Sequence, residues 1–259
     1  MPFALITGAS GGIGLSIAHE LAKRKIDLLL VARSEEKLAE AKKNITEKYK
    51  VNVEFISLDL SVPEGARSVY TWIIKNSYPI SILVNNAGYG IWGNVDKTPL
   101  PQLLNLMQLN MVTLVELCHL MIPELKKQKQ SYILNIASTA AYQAVPTLVT
   151  YAATKSFVVL FTRGLRNELR ETNISVTCVS PGATSTNFID RAGMAILKER
   201  AEKFSMPADQ VAKIAINGMF HKKAEIIPGL MNWVSVQLTY LFPKHIIETI
   251  AAGLYKTKS

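Results

Sequence analysis

The chain begins with a strand that runs straight into glycine. Phe3-Ala4-Leu5-Ile6-Thr7 is a short apolar run, and Gly8-Ala9-Ser10-Gly11-Gly12-Ile13-Gly14 follows with no spacer. Leu15, Ile17, Ala18, Leu21 and Ala22 then recur at helical spacing. Strand, glycine turn and helix in that order open a parallel α/β unit. Glycines let backbone N–H groups come close to a pyrophosphate, and a helix N-terminus offers unpaired N–H groups and the positive end of its dipole. The spacing is Gly8, Gly12, Gly14, with a longer first gap than the Gly-x-Gly-x-x-Gly fingerprint. Taken alone, the turn could equally be a tight connection.

The rest of the chain repeats the alternation. Asp27–Ala32, 51–58 (VNVEFISL), 80–84 (ISILV), Tyr132–Ala137 and 174–180 (ISVTCVS) are nearly continuous apolar runs. Parallel strands buried on both faces read this way. Helical stretches lie between them, including 103–127 and 149–171, and a helix at about 207–221 precedes a short last strand at 224–227. The expected fold is α/β: one Rossmann-like, doubly wound parallel sheet of about seven strands with helices on both faces. With 259 residues, 49% hydrophobic, and no Ser/Gly linker or repeat, the chain reads as a single domain.

The formal charge is +9. Part of it suits a ligand bearing several phosphates. Much of the rest (Lys37, Lys42, Lys43, Lys48, Lys50) is mixed with glutamates on the second helix and reads as a solvated face. No basic patch interleaved with aromatics appears, so nucleic acid is not an expected partner. Attraction to anionic membranes or to an acidic carrier protein is a more natural use of the charge. Cys118 and Cys178 read as buried thiols in a reducing compartment, and the four histidines show no metal-ligand spacing. The first strand starts at residue 3, which points to a cytoplasmic location.

The end of the second strand carries Arg33 followed by Ser34, and Asp27 lies at the wrong end. An acidic residue at that end suits a free ribose 2′-hydroxyl, whereas an arginine accommodates a 2′-phosphate. The expected cofactor is therefore NADP(H) rather than NAD(H). The preference rests on Arg33, because Gly11 occupies the place in the turn where a second basic residue would stand.

Tyr151 and Lys155 are one helical turn apart and share a face. A phenol is a poor acid near neutrality, with a reference pKa of about 10; a neighbouring ammonium favours the phenolate and lowers it. The pair makes a group able to exchange a proton with a substrate oxygen. Ser138, thirteen residues before the tyrosine, follows the strand ending at Ala137 and is placed to hold the same oxygen. Tyr-x-x-x-Lys alone is common in helices; its company is what matters.

That company is Asp59-Leu60-Ser61 after the third strand, Asn85-Asn86-Ala87-Gly88 after the fourth, Asn110 within the long helix, and Pro181-Gly182-Ala183-Thr184-Ser185-Thr186 after the sixth. In this order the motifs make the chain resemble the short-chain dehydrogenase/reductase family over about residues 3 to 190. The resemblance implies roles. Ser138 polarises a carbonyl and Tyr151 donates the proton. Lys155 binds the nicotinamide ribose and depresses the tyrosine pKa, and Asn110 holds a water in a proton relay. Gly8, Ser10, Gly12, Ile13 and Gly14 meet the phosphates, and Arg33 meets the 2′-phosphate. Asp59 and Leu60 flank the adenine, while Asn86, Ala87 and Gly88 line the ribose side. Pro181, Gly182, Thr184 and Thr186 face the nicotinamide. Without the resemblance, Asn110 reads as an ordinary helical polar residue, Asp59 as an N-cap and Asn85-Asn86 as turn chemistry.

Residues 1–183 form the expected dinucleotide-binding and catalytic core. Residues 184–206, with Phe188, Ile189, Met194, Ile196 and Leu197 among charges, read as a helical flap that sets substrate choice. The tail, 229–259, carries an apolar run at 230–242 between Pro228 and Pro243. It is shorter than the roughly 20 residues that span a bilayer. Capping a substrate pocket, packing at a subunit interface and peripheral membrane contact are its three readings. Together these features predict an NADPH-dependent carbonyl reductase acting reversibly on a lipophilic ketone or aldehyde such as a 3-oxoacyl, steroid or aromatic compound. The alternatives are an NAD-linked alcohol dehydrogenase of the same family and a non-catalytic NADP(H)-sensing regulator. By analogy with the family, a homodimer or homotetramer is expected.

Overall fold

A computed structural model describes residues 2–185 and 205–255, with side chains to residue 253. The order is β1 (Phe3–Thr7), α1 (Gly12–Lys23), β2 (Asp27–Ala32), α2 (Glu35–Tyr49), β3 (Val53–Ser57), α3 (Gly65–Lys75) and β4 (Ile80–Asn85). Then come α4 (Leu100–Met107), a π-turn (Gln108–Val112), α5 (Thr113–Lys126), β5 (Ser131–Ile136), a 3-10 turn (Thr139–Tyr142), α6 (Val149–Glu168) and β6 (Ile174–Val179). The chain continues as β7 (Thr184–Ser185), β8 (Met206–Pro207), α7 (Ala208–Phe220), β9 (Glu225–Ile226), α8 (Leu230–Leu241) and α9 (Lys244–Tyr255).

Seven strands pair in the order β3-β2-β1-β4-β5-β6-β9, and every pair is parallel. Period-two alternation explains the two-sided burial. Ala4, Ile6, Leu28 and Leu30 face one core with α1, α2 and α7, while Leu5, Leu29 and Val31 face the other with α3, α5 and α6. All six residues of β2 are buried. Each fully buried leucine or isoleucine stabilises by about 1.5–3 kcal/mol, so both sides of these strands must be apolar. Chain direction across the sheet reverses between β1, followed by β2, and β4, followed by β5. The carboxyl ends of β1 and β4 therefore open the crevice where doubly wound folds hold ligands.

The expected fold is present, with local differences. The long central helix is interrupted by the π-turn at Gln108–Val112, and α6 stops at Glu168, short of Glu171. By length and composition, Leu100–Lys126 is apolar enough to cross a membrane; here Leu106, Leu114, Leu117, Met121 and Leu125 of that stretch are buried within the molecule. The last strand is only Glu225–Ile226. The tail folds as two helices rather than one apolar stretch. Of the expected flap, the structure describes its roots: Thr184 and Ser185 pair with Met206 and Pro207 as two short parallel strands. Residues 186–204, Thr186 included, lie outside the described residues.

Candidate active site

The crevice between β1 and β4 is closed at its base by side chains. Thr7 Oγ1 donates to the Val84 carbonyl at 3.2 Å and accepts from the N–H groups of Asn86 and Ala87, each at 3.0 Å. Asn86 Nδ2 returns bonds to the carbonyls of Thr7, at 3.0 Å, and Gly8, at 3.3 Å. These bonds fix the glycine turn against the loop after β4. Gly8 has φ +67°, a left-handed conformation that favours glycine. A Cβ on Gly14 would lie 2.4 Å from the Gly8 carbonyl oxygen, so the start of α1 packs directly on the turn. Among the described residues no side chain caps α1, whereas Ser34 caps α2. Ser10, Gly12 and Ile13 remain half-buried along the same rim. Uncapped N–H groups on a glycine-lined rim fit a dinucleotide pyrophosphate.

Arg33 stands exposed where β2 ends, and its carbonyl accepts from Ser57 Oγ at 2.9 Å. Asp59 lies across from it after β3. Burial alone would raise the Asp59 carboxyl. Hydrogen bonds from Ser61 Oγ at 2.7 Å and Ser61 N at 2.9 Å, with the Arg33 cation, outweigh that and hold it below its usual range. Burial raises the Tyr89 phenol, and both Arg33 and Asp59 act on it through charge. Arg33, Asp59 and Tyr89 therefore share one end of the crevice, with Leu60 buried behind them.

The other end is built on α6, where Tyr151 and Lys155 are 8% and 6% exposed. The Lys155 ammonium sits 5.8 Å from the Tyr151 ring centroid and donates to the Ile136 carbonyl at 2.8 Å. Burial pulls the lysine pKa down to about 8. The π-turn carries Asn110 inward. Its Nδ2 donates to Tyr89 O at 3.0 Å and to Thr154 Oγ1 at 3.1 Å, and its Oδ1 accepts from Tyr89 N at 3.2 Å. Thr154 Oγ1 in turn donates to the Tyr151 carbonyl at 2.8 Å. A Cβ on Gly88 would sit 3.0 Å from Asn110 Oδ1 and 3.4 Å from Lys155 Nζ, which brings the β4 loop to the same spot.

Ser138 caps the 3-10 turn, its Oγ accepting from Ala140 N at 3.2 Å. The turn is held from two sides. Thr139 N donates to Pro181 O at 2.9 Å, and Ser156 Oγ of α6 donates to Ala141 O. Tyr151 packs with Val145, Leu148 and Ala152, against which Trp92 and Ala140 lie. Thr184 Oγ1 donates to Gly182 O at 3.1 Å and shapes the loop after β6. The sequence-predicted residues from Gly8 to Thr184 thus lie on the loops after β1 to β6, at the start of α1, on the π-turn, on α6 and in β7; Thr186 is outside the described residues.

Sequence reasoning missed Thr7, Thr154 and a buried amide ladder. Asn85 Nδ2 donates to Asn135 Oδ1 at 2.9 Å, and Asn135 Nδ2 donates to Thr162 Oγ1 at 3.0 Å. The ladder ties β4, β5 and α6 together beneath the site. The available signal was a polar residue inside an otherwise apolar strand, namely Thr7 in β1 and Asn135 in β5.

Comparison with known proteins gives the same picture. The short chain dehydrogenase family model matches residues 2–193. A very-long-chain 3-oxoacyl-CoA reductase of Rattus norvegicus is 32% identical over 206 residues, covering 78% of this chain and 65% of the rat protein, just under two thirds of its length. A short-chain dehydrogenase from Sphingobium yanoikuyae, solved in complex with NADPH, superposes with a TM-score of 0.82 at 30% identity over 93% of this chain and 94% of that one. A short-chain dehydrogenase/reductase from Burkholderia phymatum, solved with NAD, shares the fold with a TM-score of 0.84 at 21% identity, covering 92% of each chain. A strand–glycine–helix crevice, an inward Tyr-x-x-x-Lys pair and a family match over most of the chain lead to one assignment: the chain is an oxidoreductase of the short-chain dehydrogenase/reductase family.

Proposed function

We propose that this chain is an NADPH-dependent carbonyl reductase that interconverts a lipophilic ketone or aldehyde and its alcohol. The observation that carries the proposal is the Lys155–Tyr151 pair, with the lysine ammonium 5.8 Å from the phenol ring and anchored on Ile136 O. A bound nicotinamide dinucleotide supplies the hydride. The chain's own work is to hold the carbonyl and deliver a proton to its oxygen.

Ser138 Oγ donates to the carbonyl oxygen and polarises it. Tyr151 Oη passes its proton to that oxygen as the carbon gains the hydride, giving CH–OH. Lys155 has one donor spent on Ile136 O, which leaves two for the ribose and the tyrosine side. With a pKa of about 8 it can give up and regain a proton near neutrality, as a relay member must. Asn110 fixes the β4 loop to α6 next to that ammonium and holds the relay in place. The oxidation runs through the same groups in reverse.

Support for NADP(H) is Arg33 at the end of β2, where no acidic side chain stands, together with the NADPH complex of the Sphingobium protein. Support for a lipophilic substrate is the apolar wall of Trp92, Ala140, Val145 and Leu148 around Tyr151, and the acyl substrate in the rat relative's name. The test is a panel of 3-oxoacyl thioesters, steroid ketones and aryl ketones assayed by loss of NADPH absorbance beside NADH. Turnover of lipophilic carbonyls with NADPH is expected. Equal or better turnover with NADH would turn the assignment to an NAD-linked dehydrogenase.

A further inference from the structure

The tail helices leave apolar surface uncovered. Between Leu230 and Ile250 ten large apolar side chains are exposed, among them Leu230 at 74%, Met231 at 80% and Leu241 at 76%. The same stretch holds only two formal charges, Lys244 and Glu248. At 3.6 residues per turn, the exposed apolar positions of α8 spread over an arc of about 180°. The inner side is narrow: Val236 is 2% exposed, and Asn232 turns toward the body.

We propose that α8 and α9 dock this chain on the surface of an anionic lipid bilayer and that the face adjoins the mouth of the active site. So wide a convex arc fits a fluid that wraps around it better than one flat protein partner. Trp233 and Tyr240 are the aromatic types that settle at the headgroup level, and Phe242 adds apolar surface beside them. Twelve residues of helix reach about 18 Å, too short to cross and suited to lying in the interface plane. The partner's sign follows from the charge of the whole chain, +9; on the tail helices themselves the exposed Lys244 and Glu248 balance.

The docking face connects to the site. A Cβ on Gly182 would meet Asn232 Oδ1 at 2.5 Å, so α8 lies directly on the loop after β6. The Tyr240 ring meets Tyr142 of the 3-10 turn edge-on at 6.4 Å between centroids. Docking through α8 thus brings the turn capped by Ser138 toward the bilayer, where an apolar carbonyl compound is concentrated. Delivery of substrate rests on the lipophilic-carbonyl reading; docking itself does not.

The experiment is flotation of the full chain with vesicles of phosphatidylcholine, with and without added phosphatidylglycerol. The comparison is Met231→Asp/Leu241→Asp, which changes two exposed residues that touch neither cofactor nor substrate groups. Wild type should float with vesicles, more completely with phosphatidylglycerol, and the double variant should lose co-flotation while reducing a short water-soluble ketone as wild type does. If neither chain reduces any ketone but wild type floats and the variant does not, docking stands and the redox reading fails. Wild type that stays at the bottom of the gradient, or a variant that floats equally well, overturns the proposal. A mass halved by the double substitution without vesicle binding by wild type assigns the face to a second copy of the chain and also overturns it.

Discussion

Lys155 donates from its ammonium to the main-chain carbonyl of Ile136, the last residue of β5, at 2.8 Å. Helix α6 and the sheet are thereby joined beside Tyr151, where the proposed proton transfer takes place. The bond also leaves a cation in a buried place, and burial lowers its pKa from 10.5 to about 8.

The lowered value has a consequence for stability. Below about pH 8 both folded and unfolded chains hold the proton, and the cost of burying the cation is present in full. Between about pH 8 and 10.5 the unfolded chain binds a proton that the folded chain has released, so this group's contribution to stability rises with pH. Lys155→Met removes the group. In urea unfolding of the cofactor-free protein, the stability difference should move in favour of wild type by up to about 3 kcal/mol across that window. A pH-independent difference would show that Lys155 keeps its proton throughout.

Tyr151→Phe removes the proposed proton donor and keeps the ring that packs on Val145, Leu148 and Ala152. Turnover should fall by about 10²–10⁴-fold, the usual worth of a positioned acid. NADPH affinity, read by titration of cofactor fluorescence, should stay within a few-fold of wild type. Retained turnover would remove Tyr151 from the proton-transfer step.

Arg33→Asp places a carboxylate where β2 ends, at the place proposed for a 2′-phosphate and close to Asp59. The Michaelis constant should rise far more for NADPH than for NADH, since the new charge repels only the additional phosphate. An unchanged ratio of the two constants would take the cofactor preference away from this residue.

The fold was readable because burial on both faces of a parallel strand leaves little freedom of pattern: after Asp27, β2 is apolar through Leu28–Ala32. The site was readable because its residues sit at strand ends and at an i, i+4 helical spacing, both local properties of sequence. Two features were not. The π-turn that carries Asn110 inward shifts hydrogen-bond register without changing hydrophobic period, so the helix around it reads as regular. The bonds of Thr7 to the β4 loop join residues 77 to 80 positions apart, and no local rule pairs them. The short last strand, by contrast, was legible: it is expected at 224–227 and stands at the sheet edge as Glu225–Ile226.

Tyr142 offers the last test, on a contact equally hidden from sequence. Its hydroxyl bonds to Ser180 Oγ at 2.8 Å and donates to Glu225 Oε1, linking the turn capped by Ser138 to β6 and β9. Burial, and then the Glu225 carboxylate, push the Tyr142 phenol well above its ordinary range, so the group stays a donor at any working pH. Tyr142→Phe deletes the hydroxyl and leaves a carboxylate and the fully buried Ser180 without that partner. Leaving such groups unsatisfied costs about 1–3 kcal/mol each way the loss is shared, which sets the expected drop in unfolding free energy. Glu225→Gln keeps an acceptor but removes the charge and should cost less. The two substitutions combined should cost less than the sum of their separate effects, because both act on one bond. Additive losses in urea unfolding would mean that Tyr142 and Glu225 act independently, and the strut between Ser138's turn and the sheet edge would have to be sought elsewhere.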